Sequence, residues 1–462
     1  MPFSLTSPRG ERSPFFPTRI LEVELEQPLP SIAALDPATG TRYGRALVLV
    51  RVHTYPLGTM RLQLPDRGLD AADLSEAIWS QFRFEINQHL VHDHLTPVNK
   101  LDPAGLPAGR TPRCEVERRD LLARAPFASV VVATHDRTQS LLRTLDTLLA
   151  LDYPNFEVIV VDNAPSNDDT ARAIAQRYGK SDRICYVREP QPGLAIAHNR
   201  GLEEVHAPLV AFTDDDVEVD RHWLTHLVRG FDLAPDVACV TGMILPAEME
   251  TEAQYLIEQY GYGKGFTRRV YDMGENRPQN ALYPYTAGVF GSGANMAFRT
   301  AVLRQLGGFD PALGAGSKAR GGDDLAAFFR VVTEGYKLVY EPAAILYHWH
   351  RREYPALKYQ AYGYGVGLMA FLTSALYQRP SVLLDLVRRV PQGMIYASRL
   401  RASSKAGDGE LGSYPRELVG HERRGMLHGP LAYLVSRWRL RRRTQKERAW
   451  QQASAPGRQP TG

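Results

Sequence analysis

The sequence predicts an α/β protein whose mixed, mostly parallel sheet is flanked by helices, and three observations carry that expectation. From Ala128 onward, short Val- and Ile-rich runs alternate with helical periods, the pattern of strands joined by crossover helices. Three of these runs end in polar clusters, at Thr134-His135-Asp136-Arg137, Asp162-Asn163 and Asp214-Asp215-Asp216. The 462 residues are 44% hydrophobic and 23% charged, enough for one large core and a smaller one.

Taken in order, SVVVAT (129–134) reads as the first strand of this region. QSLLRTLDTLLAL follows as a helix with Leu141, Leu142, Leu145, Leu148 and Leu149 on one face. FEVIVVDNA (156–164) is a second strand, and DDTARAIAQRYGK a helix opened by Asp168 and Asp169 and closed by Gly179. RICYVRE, GLAIAHNRGLEEV and LVAFTD continue as strand, helix and strand. In open α/β sheets ligands settle beyond the carboxyl ends of the strands, so the three polar clusters are expected to converge on one crevice.

Residues 1–120 predict a small α/β domain. Its strands are RILEVELEQ and RALVLVRVH, and its helix is LSEAIWSQFRFEI, striped by Leu74, Ile78, Phe82 and Ile86. The Pro- and Gly-rich segment 101–113 reads as a linker. Residues 121–360 form the main domain and residues 361–462 a helical, basic C-terminal region. Net charge is +4, yet residues 411–450 hold ten Lys and Arg against three Asp and Glu, so the basic character belongs to the tail and the body is slightly acidic. Leu, Tyr and Trp interleave with arginines in residues 381–448, which suits an amphipathic helix on an anionic membrane surface, with a solvated basic helix as the alternative. No nucleic-acid-reading module accompanies the charge. The uncharged run 359–378 is expected to be a packed or interfacial helix rather than a membrane span.

The three cysteines, Cys114, Cys185 and Cys239, share no close spacing, which argues against a disulfide framework and against a cysteine-ligated zinc site. The first residues lack the charged-then-apolar layout of a signal peptide. The expected location is cytoplasmic, peripheral on the inner face of the membrane.

Asp214, Asp215 and Asp216 pose an electrostatic question, since three adjacent carboxylates repel one another unless something positive sits among them. A hard divalent cation, Mg2+ or Mn2+, suits such an oxygen-rich site. The alternative is a cluster at the start of the helix that VEVDRHWLTHLVRGF suggests.

Seven segments in order, ASVVVATHDR, FEVIVVDNA, GLAIAHNRGL, LVAFTDDDVEVD, GANMAFRTAVLRQLGGFD, GGDDLAAFFRVV and LYHWH, resemble the motifs of family 2 glycosyltransferases with the GT-A (Rossmann-like) fold across roughly residues 127–360. The resemblance implies a nucleoside-diphosphate sugar as donor, bound by Thr134, Asp136, Arg137, Asp162, Asn199, Asp214 and Asp215. It implies Asp216 and His348 as metal ligands, with His350 a competitor, and Asp324 as catalytic base of an inverting transfer to an acceptor hydroxyl that is lipid-linked, a glycan or a small molecule. Two positions depart from the family pattern. His198 stands where an arginine is usual, and Asp323 replaces a glutamate and fills an N-cap on its own. These departures keep open a sugar-nucleotide binding or scaffold protein of the same fold without catalysis.

Overall fold

The structure is a computed structural model and describes residues 15–107, 109–259, 264–389 and 415–454. The N-terminal part contains β1 (Thr18–Glu24), β2 (Arg45–Val52), β3 (Tyr55–Gln63), α1 (Ala71–His92) and α2 (Arg113–Ala123). These strands make a three-stranded sheet in the order β1-β2-β3. The helical stripe of α1, Leu74, Ile78, Phe82 and Ile86, is buried against that sheet. Sequence reading missed β3, whose burial alternates residue by residue, because its Pro56 and Gly58 read as turn residues. The segment read as a linker ends where α2 begins.

The main sheet is nine-stranded. Its strands are β4 (Ala128–Thr134), β5 (Phe156–Asn163), β6 (Ile184–Glu189), β7 (Leu209–Thr213), β8 (Val217–Val219), β9 (Val237–Pro246), β10 (Arg269–Tyr271), β11 (Asn295–Arg299) and β12 (Lys337–His348). The order is β10-β12-β9-β11-β7-β4-β5-β6, with β8 paired to β12. The run β7-β4-β5-β6 is wholly parallel, and β11 enters antiparallel to both β7 and β9. The interleaved helices are α3 (Thr138–Leu149), α4 (Asp169–Tyr178), α5 (Leu194–Glu204), α6 (Trp223–Phe231), α7 (Glu252–Gln259), α8 (Thr300–Gln305) and α9 (Asp323–Thr333). This is the mixed, helix-flanked α/β sheet that the sequence predicts.

Both faces of the sheet are covered, which is why β4 reads as an unbroken apolar run and is buried at every position. Val131 joins Ile159 and Val161 in the core under α5, while Val130 and Val132 join Leu141, Leu145 and Leu148 of α3 and Trp223 of α6. Gly201 lets α5 lie on the sheet, since a Cβ there would run into Val131 and Val161. The N-terminal unit docks through the buried Arg51, whose Nη1 donates to Glu22 at 2.9 Å and to Asp220 at 2.7 Å, and through Leu49 packed with Met243, Leu245 and Ile345.

Beyond the sheet, α10 (Tyr354–Gln378) packs along α11 (Arg416–Ser454). Glycines set the close approach: a Cβ at Gly425 would collide with the Tyr362 carbonyl, and one at Gly429 with that of Val366. No described helix is long and apolar enough to cross a membrane. Residues 390–414, within the tail singled out by sequence, lie outside the described residues.

Candidate active site

Chain order fixes where the crevice falls. From β4 the chain steps outward to β5 and β6, then returns to lay β7 on the other side of β4, so the strand order switches direction between β4 and β7. The residues just past these two strand ends meet there. Arg137 is the cation among the aspartates: its Nη1 donates to Asp215 Oδ1 and its Nη2 to Asp216 Oδ2, each at 2.6 Å. Thr134 donates its hydroxyl to Asp215 Oδ2 at 2.7 Å. Burial pushes the Asp215 carboxyl up to about 6 against the pull of Arg137. At Asp216 burial is outweighed by His348 and Arg137, which hold its carboxyl below the usual range.

The helix-start alternative for the three aspartates does not hold. Strand β8 follows them directly, and α6 opens only at Trp223 with His222 as its cap. Because β8 pairs antiparallel with the end of β12, Val217 lies opposite His348. That register brings His348 Nε2 to 3.4 Å from Asp216 Oδ1 and 3.8 Å from Asp214 Oδ2. Asp214, Asp216 and His348 each offer one atom to a cluster in which all three lie within 4.8 Å of one another. Two carboxylate oxygens and an imidazole nitrogen suit a divalent cation of the Mg2+ or Mn2+ kind. Burial disfavours an imidazolium at His348, but Asp216 and Asp214 raise its pKa overall. His350, two residues on, turns instead to Glu258 at 2.5 Å.

Asp323 and Asp324 open α9, but the cap is Gly322, held in the left-handed region at φ 84°, not Asp323. A Cβ at Gly322 would meet the Gly367 carbonyl of α10, so the C-terminal helices shape this turn. Asp323 is buried, its Oδ2 3.7 Å from His198 Nδ1. Burial and the adjacent Asp324 raise the Asp323 pKa, while burial drops the His198 imidazole to about 4. The two departures from the family pattern are therefore neighbours in space, an imidazole and a carboxyl whose burial works against charge on either.

Asp324 Oδ2 accepts from the Gly293 amide at 2.9 Å and its Oδ1 from the Leu325 amide at 2.8 Å. The next carbonyl, Ala294, accepts from the Thr213 hydroxyl at 2.8 Å. Two hydrogen bonds and one peptide thus join Asp324 to the residue preceding Asp214. Burial, with Asp214 adding repulsion, raises the Asp324 pKa above the ordinary carboxylate range. Gly293 opens the segment GANMAFRTAVLRQLGGFD, but its part lies in its amide, which sequence pattern does not reveal.

The other predicted donor residues spread along the same edge. Asp136, at φ 52°, accepts from the Ser166 amide and hydroxyl at 2.9 and 2.6 Å. Asp162 is fully buried and accepts from the Tyr186 hydroxyl at 2.7 Å, a partner that sequence reading did not single out. Burial raises its pKa. Asn199 faces elsewhere: its amide donates to the Phe309 carbonyl and its oxygen accepts from the Phe309 amide, both at 2.8 Å, so it pins the loop before α9. Arg320 stacks 4.4 Å from the Tyr359 ring.

The carboxylate-rich crevice lies at the switch point of the parallel sheet, where open α/β sheets bind their ligands. The family described as "Glycosyl transferase family 2" matches residues 129–307 of the chain. The chain is 23% identical over 254 residues to the glucosyl-dolichyl phosphate glucuronosyltransferase of Haloferax volcanii, covering 53% of this chain and 77% of that one. It is 27% identical over 230 residues to the pre-mycofactocin glycosyltransferase of Mycobacterium tuberculosis, covering 49% of this chain and 43% of that one. Thus it spans less than half of the second relative. Among solved structures, a mannosyltransferase from Pyrobaculum calidifontis in complex with GDP-Man and Mn2+ is similar at 18% identity and a TM-score of 0.40, over 84% of this chain and 88% of that one. The protein is an enzyme of the glycosyltransferase class, and the scaffold alternative is not favoured.

Proposed function

We propose that the protein transfers a sugar, with inversion at the anomeric carbon, from a nucleoside-diphosphate sugar to an acceptor hydroxyl in a metal-dependent reaction. The observation that carries this reading is the convergence of Asp214, Asp216 and His348 at the switch point, two hydrogen bonds away from Asp324. Asp216 and His348 would hold Mg2+ or Mn2+, with Asp214 beside them, and the ion would supply positive charge for the diphosphate leaving group. Thr134, Asp136, Arg137, Asp162 and Asp215 line the donor crevice, while Asn199 positions the loop that leads to α9. Asp324 accepts the acceptor's hydroxyl proton as that oxygen forms its bond to the anomeric carbon, and the nucleoside diphosphate leaves with the electrons of the broken bond. A carboxylate with a raised pKa is the better base for this step.

In this reading residues 121–360 carry catalysis, residues 1–120 form an accessory unit, and residues 361–462 meet the acceptor's surroundings. Leu427, Leu431, Leu434 and Trp438 of α11 are 85, 59, 49 and 51% exposed and recur along one side of the helix, away from its glycine-lined face. Arg423, Arg424, Arg439, Arg441 and Arg442 flank them. An apolar stripe among arginines suits an anionic lipid surface and, with it, a lipid-linked acceptor.

The reading is tested by assaying a panel of nucleotide sugars with Mg2+ or Mn2+ and then with a chelator. One donor should turn over, chelation should abolish turnover, and the metal should restore it. Full turnover in the chelator would remove the metal from the reaction, and no turnover with any donor would remove the activity itself.

A further inference from the structure

A second group of ligating side chains lies in the N-terminal part, where the proposed transfer reaction uses nothing. His53 sits at the tip of the β2–β3 hairpin, His89 and Asp93 at the end of α1, and Cys114 at the start of α2. Their ligand atoms all lie within 4.8 Å of one another. One carboxylate oxygen is the hub: Asp93 Oδ2 is 2.7 Å from His53 Nδ1, 3.2 Å from His89 Nε2 and 2.7 Å from Cys114 Sγ. The other oxygen, Oδ1, is held by the Cys114 backbone amide at 3.1 Å, which aims the carboxylate. Asp93 has no exposed side-chain surface, and His53 is 8% exposed.

We infer that His53, His89, Asp93 and Cys114 form a structural zinc site that fastens the N-terminal unit to the helix leading into the main sheet. The ligand set is one thiol, two imidazoles and one carboxylate, the four-coordinate, closed mixture that zinc prefers and that magnesium does not. Zinc bonds of about 2.0–2.3 Å in a tetrahedron would set the ligands roughly 3.3–3.8 Å apart. The separations start at 2.7 Å for His53 to Asp93, reach 3.9 Å for Cys114 to His89 and all lie within 4.8 Å, so small shifts would admit the ion. Thiolate and carboxylate together carry two negative charges, which a dication balances in a buried site. An independent feature supports the assignment. The outer nitrogen of His53, Nε2, lies 3.2 Å from Glu26 Oε1, the carboxylate partner that a metal-bound imidazole usually has behind it.

The proposed site would run against the expectation, drawn from cysteine spacing, of no cysteine-ligated zinc. The partners of Cys114 are 61, 25 and 21 residues upstream, so no spacing rule detects them.

The test uses the full-length, untagged chain. Purified without chelator and dialysed against metal-free buffer, it should retain close to one zinc per chain. Asp216→Asn, in the transfer site, should keep that zinc, and Cys114→Ser should lose it. Replacing zinc with Co2+ should give a thiolate-to-cobalt charge-transfer band that Cys114→Ser abolishes. Should that variant fail to fold, alkylation of the parent chain, mapped by mass spectrometry, reports directly: zinc should slow modification of Cys114 at least about tenfold relative to the chelated chain. Absence of zinc with no cobalt band, a band that survives Cys114→Ser, or equal alkylation rates with and without zinc would each overturn the assignment. Because Asp216→Asn separates the two clusters, this result is independent of whether the chain transfers sugar.

Discussion

The two ligand clusters differ in chemistry, exposure and the way the chain builds them. Asp214, Asp216 and His348 offer two carboxylates and one imidazole, and Asp214 leaves 33% of its side chain open. His53, His89, Asp93 and Cys114 bring nitrogen and sulfur to a carboxylate with no exposed surface. An open, oxygen-rich cluster leaves coordination positions for a phosphate, and a closed one with four protein ligands leaves none. The same comparison says what each should do when disturbed. Damage near the open cluster should be read in turnover, and damage at the closed cluster in stability.

The largest effect is expected at Asp324, beside the open cluster. Asp324→Asn retains shape and loses basicity, and the rate of sugar transfer should fall about 10²- to 10⁴-fold while the chain stays folded and retains its zinc. Transfer at the parent rate would detach Asp324 from the chemistry, and a parallel loss of zinc would blur the distinction between the two clusters.

The two clusters were also unequally legible in the sequence. Asp214 and Asp216 stand two residues apart at the end of an apolar strand, and His348 lies at the end of β12, so local pattern and motif order reach all three. The strands β4, β5 and β7 were legible for a similar reason, since burial on both faces writes itself as an apolar run. The zinc ligands come from a hairpin tip and the facing ends of two helices, one packed on the small sheet and the other on α6 of the main domain, and only the tertiary fold brings them together. Short-range pattern carries no record of that. Nor could it find the Gly293 amide behind Asp324, or that Gly322 rather than Asp323 caps α9. The Asp323 side chain turns inward to His198 because the adjacent glycine takes the left-handed backbone that the turn requires.

A smaller effect sharpens the comparison from the other side. His89→Ala removes one ligand of the closed cluster and should destabilise the N-terminal unit by about 1–3 kcal/mol, seen as an earlier unfolding transition in calorimetry. At low temperature, where the fold persists, transfer per folded chain should stay within a few fold of the parent. A loss of turnover as deep as that of Asp324→Asn, with the fold intact, would mean that the closed cluster acts on catalysis and not on stability alone.

The smallest effect concerns pH. Burial and Asp324 raise the Asp323 pKa in the folded chain above its unfolded value. The folded state therefore holds that proton more tightly than the unfolded state does, and the stability this gives is complete at acid pH and lost as pH rises through the folded pKa. Asp323→Asn keeps a neutral side chain at every pH. Denaturant unfolding of parent and variant, followed upward from the ordinary carboxylate range into the alkaline range, should show the parent losing stability more steeply. Parallel curves would mean that Asp323 ionises freely, through access to water or a charged partner. In that case the contact between His198 and Asp323 would become an ion pair rather than the neutral neighbourhood that their burial implies, and the α9 end of the crevice would carry a second carboxylate charge beside that of Asp324.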